Sequence, residues 1–414
     1  MKRSHGDGGI DTRGENVHRL RYRVGGKRFT KTVHGPLAEA RKELRRLVRS
    51  GDTGEHVAPD KVTVSDWIDK WIAAGAPGRR KEKVSERTLE RYADLLNVHV
   101  KPVLGEKRLQ QLQPHEIDKL YSDMAEAAEI APRTQHHVHV VFSACLGTAT
   151  RKGMLASNPM LRVEQVPSVR PAPVSDLDAD SDQDDIGQGL TEAELAALVN
   201  GFRQSTIFPI VALTAATGAR RNELLALRWT DLDTARKTLR IERAWEPTKK
   251  YGLRLKPPKT ARGLRTIDLD DATVSLLLGI RETLQRLAAG LPDGADVDLS
   301  LIKLPASTLM FPNPSDARAD FSFSAPRRPQ SVSQAFARRA EIIGFGHVRF
   351  HDLRGIHSTA LLDAGIPIHT VAQRIGDDPA TLLRNYTKRK RSKAADEKLS
   401  SAITGLAAGF LALP

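Results

Sequence analysis

The stretch HDLRGIHSTALLDAG, residues 351–365, decides how the second half of this chain reads. It reads as a helix on which His351 and Arg354, three residues apart, share one face. An H-x-x-R pair alone arises often by chance, so its meaning depends on what surrounds it. Upstream, ATGARRNELLALRW (216–229) sets Arg220 just past Gly218, at a break between two helices. A helix N-terminus at such a place also favours an anion. PPKTARGLRTI (257–267) carries Lys259 at the tip of an expected hairpin, within reach of a leaving group. Downstream, RIGDDPATLLRNYTKRKRSK (374–393) brings two adjacent acids, Asp377 and Asp378, and a lone tyrosine, Tyr386. A dense basic run that includes Lys388 and Arg389 follows.

These residue types make one chemical kit. A tyrosine phenol titrates at about pH 10, so as a nucleophile at neutral pH it needs a proton acceptor or strongly positive surroundings. Attack on a phosphodiester gathers negative charge on the nonbridging oxygens, and arginine forks match that geometry. The departing 5′ oxygen needs a proton donor. Tyr386, Arg220, Arg354, Lys259 and His351 supply these functions together. The two carboxylates carry the wrong sign, which is the puzzle of the stretch.

Composition agrees with a polyanionic partner. The 414 residues are 28% charged and 40% hydrophobic, with a net charge of +14. That profile is a soluble globular protein with nucleic acid as the expected partner. The length allows two or three domains. One cysteine, Cys145, excludes an intrachain disulfide and agrees with a reducing, cytoplasmic location. The opening MKRSHGDGGIDTRG does not read as a signal peptide, and no run of about 18 apolar residues predicts a membrane span.

Four segments follow from the patterns along the chain. Residues 1–58 read as a small sheet with a helix behind it. In VHRLRYRVGGKRFTKTV (17–33), Leu20, Tyr22 and Val24 alternate with Arg19, Arg21 and Arg23. The Gly25-Gly26 pair signals a hairpin, and Lys27 and Arg28 open the next strand. An apolar face and an arginine face result, the second suited to a DNA groove. Residues 62–165 read as all-helical. Thr63 or Ser65 caps the first helix, whose Trp67 and Trp71 are expected in the core. A second helix spans 84–105 and ends near Pro102 and Gly105. A third begins at Pro114 and a fourth at Pro132. The fourth carries His136, His137 and His139, which could suggest metal, but helical histidine ligands want an i, i+3 or i, i+4 pair together with a third ligand from elsewhere. A polar, DNA-facing surface that includes His137 is the expectation. Residues 166–189, with three prolines and six aspartates, read as a linker. Residues 190–414 form the largest domain, mostly helical, with strands in KTLRIERAW (237–245) and around Lys259.

Here the sequence resembles the tyrosine recombinase (phage integrase) family. TGARRNELLALRW, KTARGLRTIDL, HDLRGIHSTALLDAG and IGDDPATLLRNYTK occur in that family's order and at its usual spacings. The N-terminal half is similar too. Residues 1–58 look like its arm-type DNA-binding domain, 62–165 like its SAM-like core-binding domain, and 190–414 like its α+β catalytic domain with a tail helix. The resemblance implies that Tyr386 forms a 3′-phosphotyrosyl link and that Arg220 and Arg354 clamp the nonbridging oxygens. It implies that Lys259 protonates the 5′ leaving oxygen and that His351 helps as acid or base. Glu223 looks like the family's acidic residue one turn beyond Arg220, orienting an arginine or lysine. The bond energy stays in the phosphotyrosine, so no cofactor and no metal are expected.

One position departs from the pattern. Asp377 stands where the family usually has a histidine or tryptophan that donates a hydrogen bond to the phosphate. An ionised carboxylate only accepts. Asp377 pairs with an arginine and positions it, or it swings away while Asp378 caps the last helix, or the site is weakened. Reduced but real activity is the expectation, because the other five residues survive. The reading is therefore a site-specific integrase of a bacterial or phage mobile element. Its expected partners are double-stranded attachment sites, a tetramer of itself on DNA, and accessory DNA-bending or directionality factors. Two alternatives stand beside it: a silent DNA-binding regulator descended from a recombinase, and a type IB topoisomerase-like relaxing enzyme. Beyond Tyr386, Leu399, Ile403, Leu406 and Phe410 recur at helical spacing in a tail that the resemblance assigns to protomer exchange.

Overall fold

A computed structural model of the chain describes residues 8–24, 26–52, 57–58, 60–78, 84–127, 130–167, 190–258, 261–292, 295–314 and 321–386. The chain divides into two compact units, Met1–Arg170 and Pro171–Pro414.

The first unit holds two separate cores. Strands β1 (Gly9–Gly14), β2 (Val17–Val24) and β3 (Lys27–His34) form an antiparallel sheet in that order, followed by α1 (Leu37–Asp52). Side chains alternate across a sheet, so Leu20, Tyr22, Phe29 and Val33 fall on one face. There they pack with Ala40, Leu44 and Leu47 of α1. Arg19, Arg21 and Arg23 lie opposite Thr32, Thr30 and Arg28, which places four arginines and two threonines on the other face. Lys27 does not join them. It pairs with Val24, two positions from Tyr22, and its register belongs to the helix side. The two-residue turn fixes that phase.

The second core of this unit is helical: α2 (Val64–Ala73), α3 (Glu86–Leu95), α4 (Lys101–Leu104), α5 (Pro114–Glu126) and α6 (Pro132–Arg151). Thr63 is the cap of α2. Its hydroxyl accepts the Asp66 N–H at 3.1 Å, and the Asp66 carboxylate accepts the Thr63 N–H at 3.0 Å. Trp67 and Trp71 are buried, and the Trp67 indole donates to the Cys145 carbonyl at 3.1 Å. The segment read as one helix over 84–105 is interrupted. A π-helical turn, Leu96–Val100, joins α3 to α4, and Pro102 sits in the single turn of α4, which ends at Leu104 with Gly105 as its cap, where the sequence places the helix end. On α6, His136 bonds the Pro167 carbonyl at 2.9 Å, and His137 accepts from Arg91 Nη2 at 2.9 Å. His139 lies against Tyr121, with ring centroids 5.6 Å apart. Among the described residues no group of acids, histidines or cysteines is placed to hold a metal ion.

The second unit begins with α7 (Glu192–Asn200), closed by a reciprocal Thr191–Glu194 cap. Then come α8 (Phe208–Thr217), the single turn α9 (Arg221–Leu224), and strands β4 (Leu232–Asp233), β5 (Thr238–Ile241), β6 (Ala244–Thr248), β7 (Gly252–Lys256) and β8 (Arg265–Asp268). Five helices follow: α10 (Asp271–Ala288), α11 (Pro329–Ile342), α12 (Asp352–Asp363), α13 (Ile368–Ile375) and α14 (Pro379–Tyr386). One sheet has the order β4-β5-β8 and the other pairs β6 with β7. The expected hairpin around Lys259 is therefore corrected: β8 pairs with β5, so the chain between β7 and β8 passes from one sheet to the other. The core centres on Phe336, stacked on Phe202 at 4.9 Å and edge-on to Phe350 at 5.5 Å. Helix α8, apolar on all sides, runs through this core and packs against α12. Among the described residues no helix is long and apolar enough to cross a membrane.

Candidate active site

The C-terminal end of α8, the start of α12 and the end of α13 meet at one point. Gly218 ends α8 in the left-handed conformation, φ +64°. A Cβ there would lie 2.7 Å from the His357 ring and 3.0 Å from Ile375, so only glycine lets the three helices approach this closely. Arg354, in the first turn of α12, is 2% exposed. Its Nη1 donates to the carbonyls of Gly218 and Ile375, each at 2.8 Å. Its Nη2 reaches Asp377 Oδ2 at 3.4 Å.

Arg220 arrives from the other side as the residue capping α9. Its Nη1 lies 3.3 Å from Glu223 Oε1 and 3.5 Å from the Gly376 carbonyl, and its Nη2 lies 4.0 Å from Asp377 Oδ1. The helix it opens is one turn long, so the expected dipole contribution to anion binding shrinks accordingly. The amide of Arg220 is itself satisfied by Glu223 Oε2 at 3.0 Å. Two arginines from distant elements thus converge on the carboxylate of Asp377, whose side chain is 14% exposed. Asp377 has not swung away. Its neighbour Asp378 does the capping: Oδ1 accepts the Ala380 N–H at 2.8 Å at the start of α14.

Beneath the arginine pair lies a buried layer built on Glu223. Arg265 of β8 donates from Nη2 to Glu223 at 2.7 Å, and both side chains are 4% exposed. Burial alone would raise the Glu223 carboxyl. Arg265, then Arg220 and Arg354, outweigh it and hold Glu223 below the usual carboxylate range. Arg265 Nε also donates to the Arg374 carbonyl at 2.9 Å. Arg374 donates from Nε to His357 Nε2 at 3.3 Å and from Nη2 to the Ala216 carbonyl at 3.2 Å. His357 Nδ1 must then carry the proton it gives to the Ala215 carbonyl at 2.9 Å. Burial, then the charge of Arg374, pulls the His357 pKa down to about 4, so the ring is neutral at pH 7. Glu223 was singled out in the sequence for its position one turn beyond Arg220. Arg265, Arg374 and His357 carry no local signal, since their partners are remote.

His351 caps α12, half-buried, and its carbonyl accepts the Arg354 N–H at 3.1 Å. The next residue, Asp352, is buried and pairs with Arg349 Nη2 at 2.8 Å. Tyr386 is the last residue of α14. Its side chain, Lys259, Lys388, Arg389, the 168–189 part of the linker and the tail lie outside the described residues. Of the predicted catalytic set, the structure brings Arg220, Arg354 and Asp377 together.

The site is thus an arginine pair, Arg354 buried and Arg220 one-third exposed, closed on the carboxylate of Asp377, with the tyrosine-bearing helix starting beside it. Two family descriptions match the chain: the phage integrase family over residues 190–393, and the phage integrase N-terminal SAM-like domain over 63–125. The chain belongs to the phage integrase family, the tyrosine recombinases. An integrase of Saccharopolyspora erythraea is 27% identical over 402 residues, covering 84% of each chain. An integrase of Streptomyces ambofaciens is 29% identical over 237 residues, a match that spans about half of either chain, 55%. Among solved structures, the Tn1549 transposon integrase in complex with a circular intermediate DNA has a TM-score of 0.57 at 17% identity. That match covers 83% of this chain and 99% of the other, and it is a likeness of fold.

Proposed function

We propose that this chain is the integrase of a mobile genetic element, a site-specific DNA recombinase that works through a 3′-phosphotyrosyl intermediate. The observation that carries the reading is the convergence of Arg220 and Arg354 on one carboxylate. A site that gathers two guanidinium groups around an internal anion is built to hold an oxyanion, and a phosphodiester presents one of the same charge. Tyr386 attacks phosphorus through its phenolic oxygen, and the bond from phosphorus to the 5′ oxygen breaks. Lys259 gives the proton to that oxygen, while His351 accepts the phenolic proton as Tyr386 attacks. Rejoining runs the same steps backwards with a new 5′ hydroxyl. One ester replaces another, so no external energy source enters. Arg220 and Arg354 hold the nonbridging oxygens throughout, positioned by Glu223 and by the carbonyls of Gly218 and Ile375.

The arginine face of the sheet, Arg19, Arg21, Arg23 and Arg28, supports an arm-site contact by residues 1–58, and the helical core supports core-site binding by 62–165. His137, Lys388 and Arg389 complete the proposed DNA surface. Double-stranded attachment sites, a tetramer of this chain on DNA, accessory bending or directionality factors and a cytoplasmic setting follow from the same reading. Incubation with a nicked suicide substrate tests it. A covalent protein–DNA adduct is expected, absent in Tyr386→Phe. The second reading, a silent DNA-binding regulator, is favoured by one observation: Asp377 occupies the arginine fork. Tight site-specific binding with no adduct at any pH would move the conclusion there.

A further inference from the structure

Outside the arginine fork, the described residues place the chain just after Lys259 directly on the turn just before the tyrosine helix. Three contacts do this. Arg265 Nε donates to the Arg374 carbonyl at 2.9 Å. A Cβ on Gly376 would lie 2.9 Å from the Arg262 carbonyl and 2.9 Å from Arg265 Nη1, so the two backbones touch. Arg262 Nη1 forms an ion pair with Asp378 Oδ2. Asp378 is meanwhile fully committed, because its other oxygen, Oδ1, caps α14 at Ala380.

We infer that Arg262 and Asp378 are positioning residues that form a latch, through which the proton donor and the nucleophile are held as one unit. This rests on the proposed roles of Lys259 and Tyr386. Lys259 precedes Arg262 by three residues in the sequence. Tyr386 ends the helix that Asp378 starts, about 12 Å of rigid rise away. In-line displacement at phosphorus needs attacking and leaving oxygens on opposite sides of one atom, so their partners must be placed together. Arg265 anchors the loop side from below through its buried pair with Glu223. The latch ties its upper edge. Exposed pairs of this kind, with side chains 59% and 45% exposed, contribute little to folding. A latch therefore predicts a loss of rate without a matching loss of stability.

The test is a double-variant cycle in the full-length chain, with Arg262→Ala and with Asp378→Asn, which keeps a capping side chain and removes the charge. Adduct formation is timed at saturating DNA on a suicide substrate and on the same substrate with sulfur at the 5′ bridging position. The sulfur leaves as a thiolate and needs no donated proton. Each single variant is expected to slow cleavage of the ordinary substrate about tenfold, and the double variant no more than about twofold further. The melting temperature is expected to stay at the parent value. Sulfur is expected to restore Arg262→Ala as it restores Lys259→Ala. Cleavage by Arg262→Ala at the parent rate, or a double loss equal to the product of the single losses, overturns the latch. Failure of sulfur to restore Lys259→Ala instead removes the proposed donor role of Lys259, and the cycle on the ordinary substrate still decides the latch.

Discussion

Replacing Asp377 by asparagine removes the charge from the arginine fork and keeps its shape. Arg354 Nη2 lies 3.4 Å and Arg220 Nη2 lies 4.0 Å from its carboxylate. At an effective dielectric of about 20, unit charges at these separations attract by about 5 and about 4 kcal/mol. Desolvation at the buried Arg354 and at Asp377, and solvent screening at the one-third-exposed Arg220, offset much of this. A phosphodiester that enters the fork takes over the attraction to both arginines, but it meets the carboxylate as a competitor of the same sign. The net worth of a hydrogen bond to a charged group, about 1.5–3 kcal/mol, measures what the phosphate must outbid. Asp377→Asn is therefore expected to speed adduct formation by about tenfold or more at subsaturating DNA. Asp377→His, which offers a ring N–H donor, is expected to act in the same direction. Single-turnover cleavage of a nicked suicide substrate reads both. If either variant is slower than the parent at equal DNA affinity, the carboxylate is a required support for the arginines and the competition argument fails.

Three further outcomes are expected from the geometry. Arg265→Met takes from the buried Glu223 carboxylate its closest charged partner and leaves it the guanidinium and amide of Arg220, a loss of about 1.5–3 kcal/mol. Hydrogen exchange at β8 and α9 should report it, and adding Glu223→Gln should recover part; a loss below about 1 kcal/mol would contradict the buried-pair account. His357 protonates at about 4 when folded and at 6.5 when unfolded, because of burial first and Arg374 second. Its contribution is complete above pH 6.5 and drains away as pH falls towards 4, about 3 kcal/mol in all. Denaturant midpoints across that window should flatten in His357→Gln. On the sheet, alanine at Arg19, Arg23 or Arg28 should lower the slope of log affinity against log salt by about 0.9 for each phosphate that is no longer neutralised. Lys27→Ala, on the other register, should leave that slope nearly unchanged.

What could be read from the sequence was whatever local chemistry enforces. The alternation of Leu20 and Tyr22 with arginines specified a two-faced sheet, and Thr63, followed three residues later by an acid, marked a helix start. Gly218 marked the break beside Arg220 because no other residue suits that backbone at that distance from His357. The unread parts depend on pairing at a distance. Glu223 and Arg265 are 42 residues apart, and nothing within either segment announces the other. The pairing of β8 with β5, with β7 turned to β6, is a choice between two possible neighbours that strand composition does not make. Lys27 falls on the face away from the arginines because it pairs with Val24.

The two acids of the arginine cluster, Glu223 and Asp377, divide their work by depth. Arginine is expensive to bury without a countercharge, and the guanidinium groups of Arg220, Arg265 and Arg354 share Glu223 and Asp377 among them. Glu223, 3% exposed, is a permanent counterion for Arg265. Arg354, equally buried, is held by the Gly218 and Ile375 carbonyls through one nitrogen, and it spends the other on Asp377 at a longer 3.4 Å. An incoming phosphate therefore has to contest only the weakest contact of that guanidinium, while the carbonyl cradle that aims it stays intact. The same logic makes Asp377 replaceable and Glu223 not. Loss of charge at Asp377 should alter rate with little change in stability, whereas loss of charge at Glu223 should unsettle Arg265, and with it the strand that leads back to Lys259.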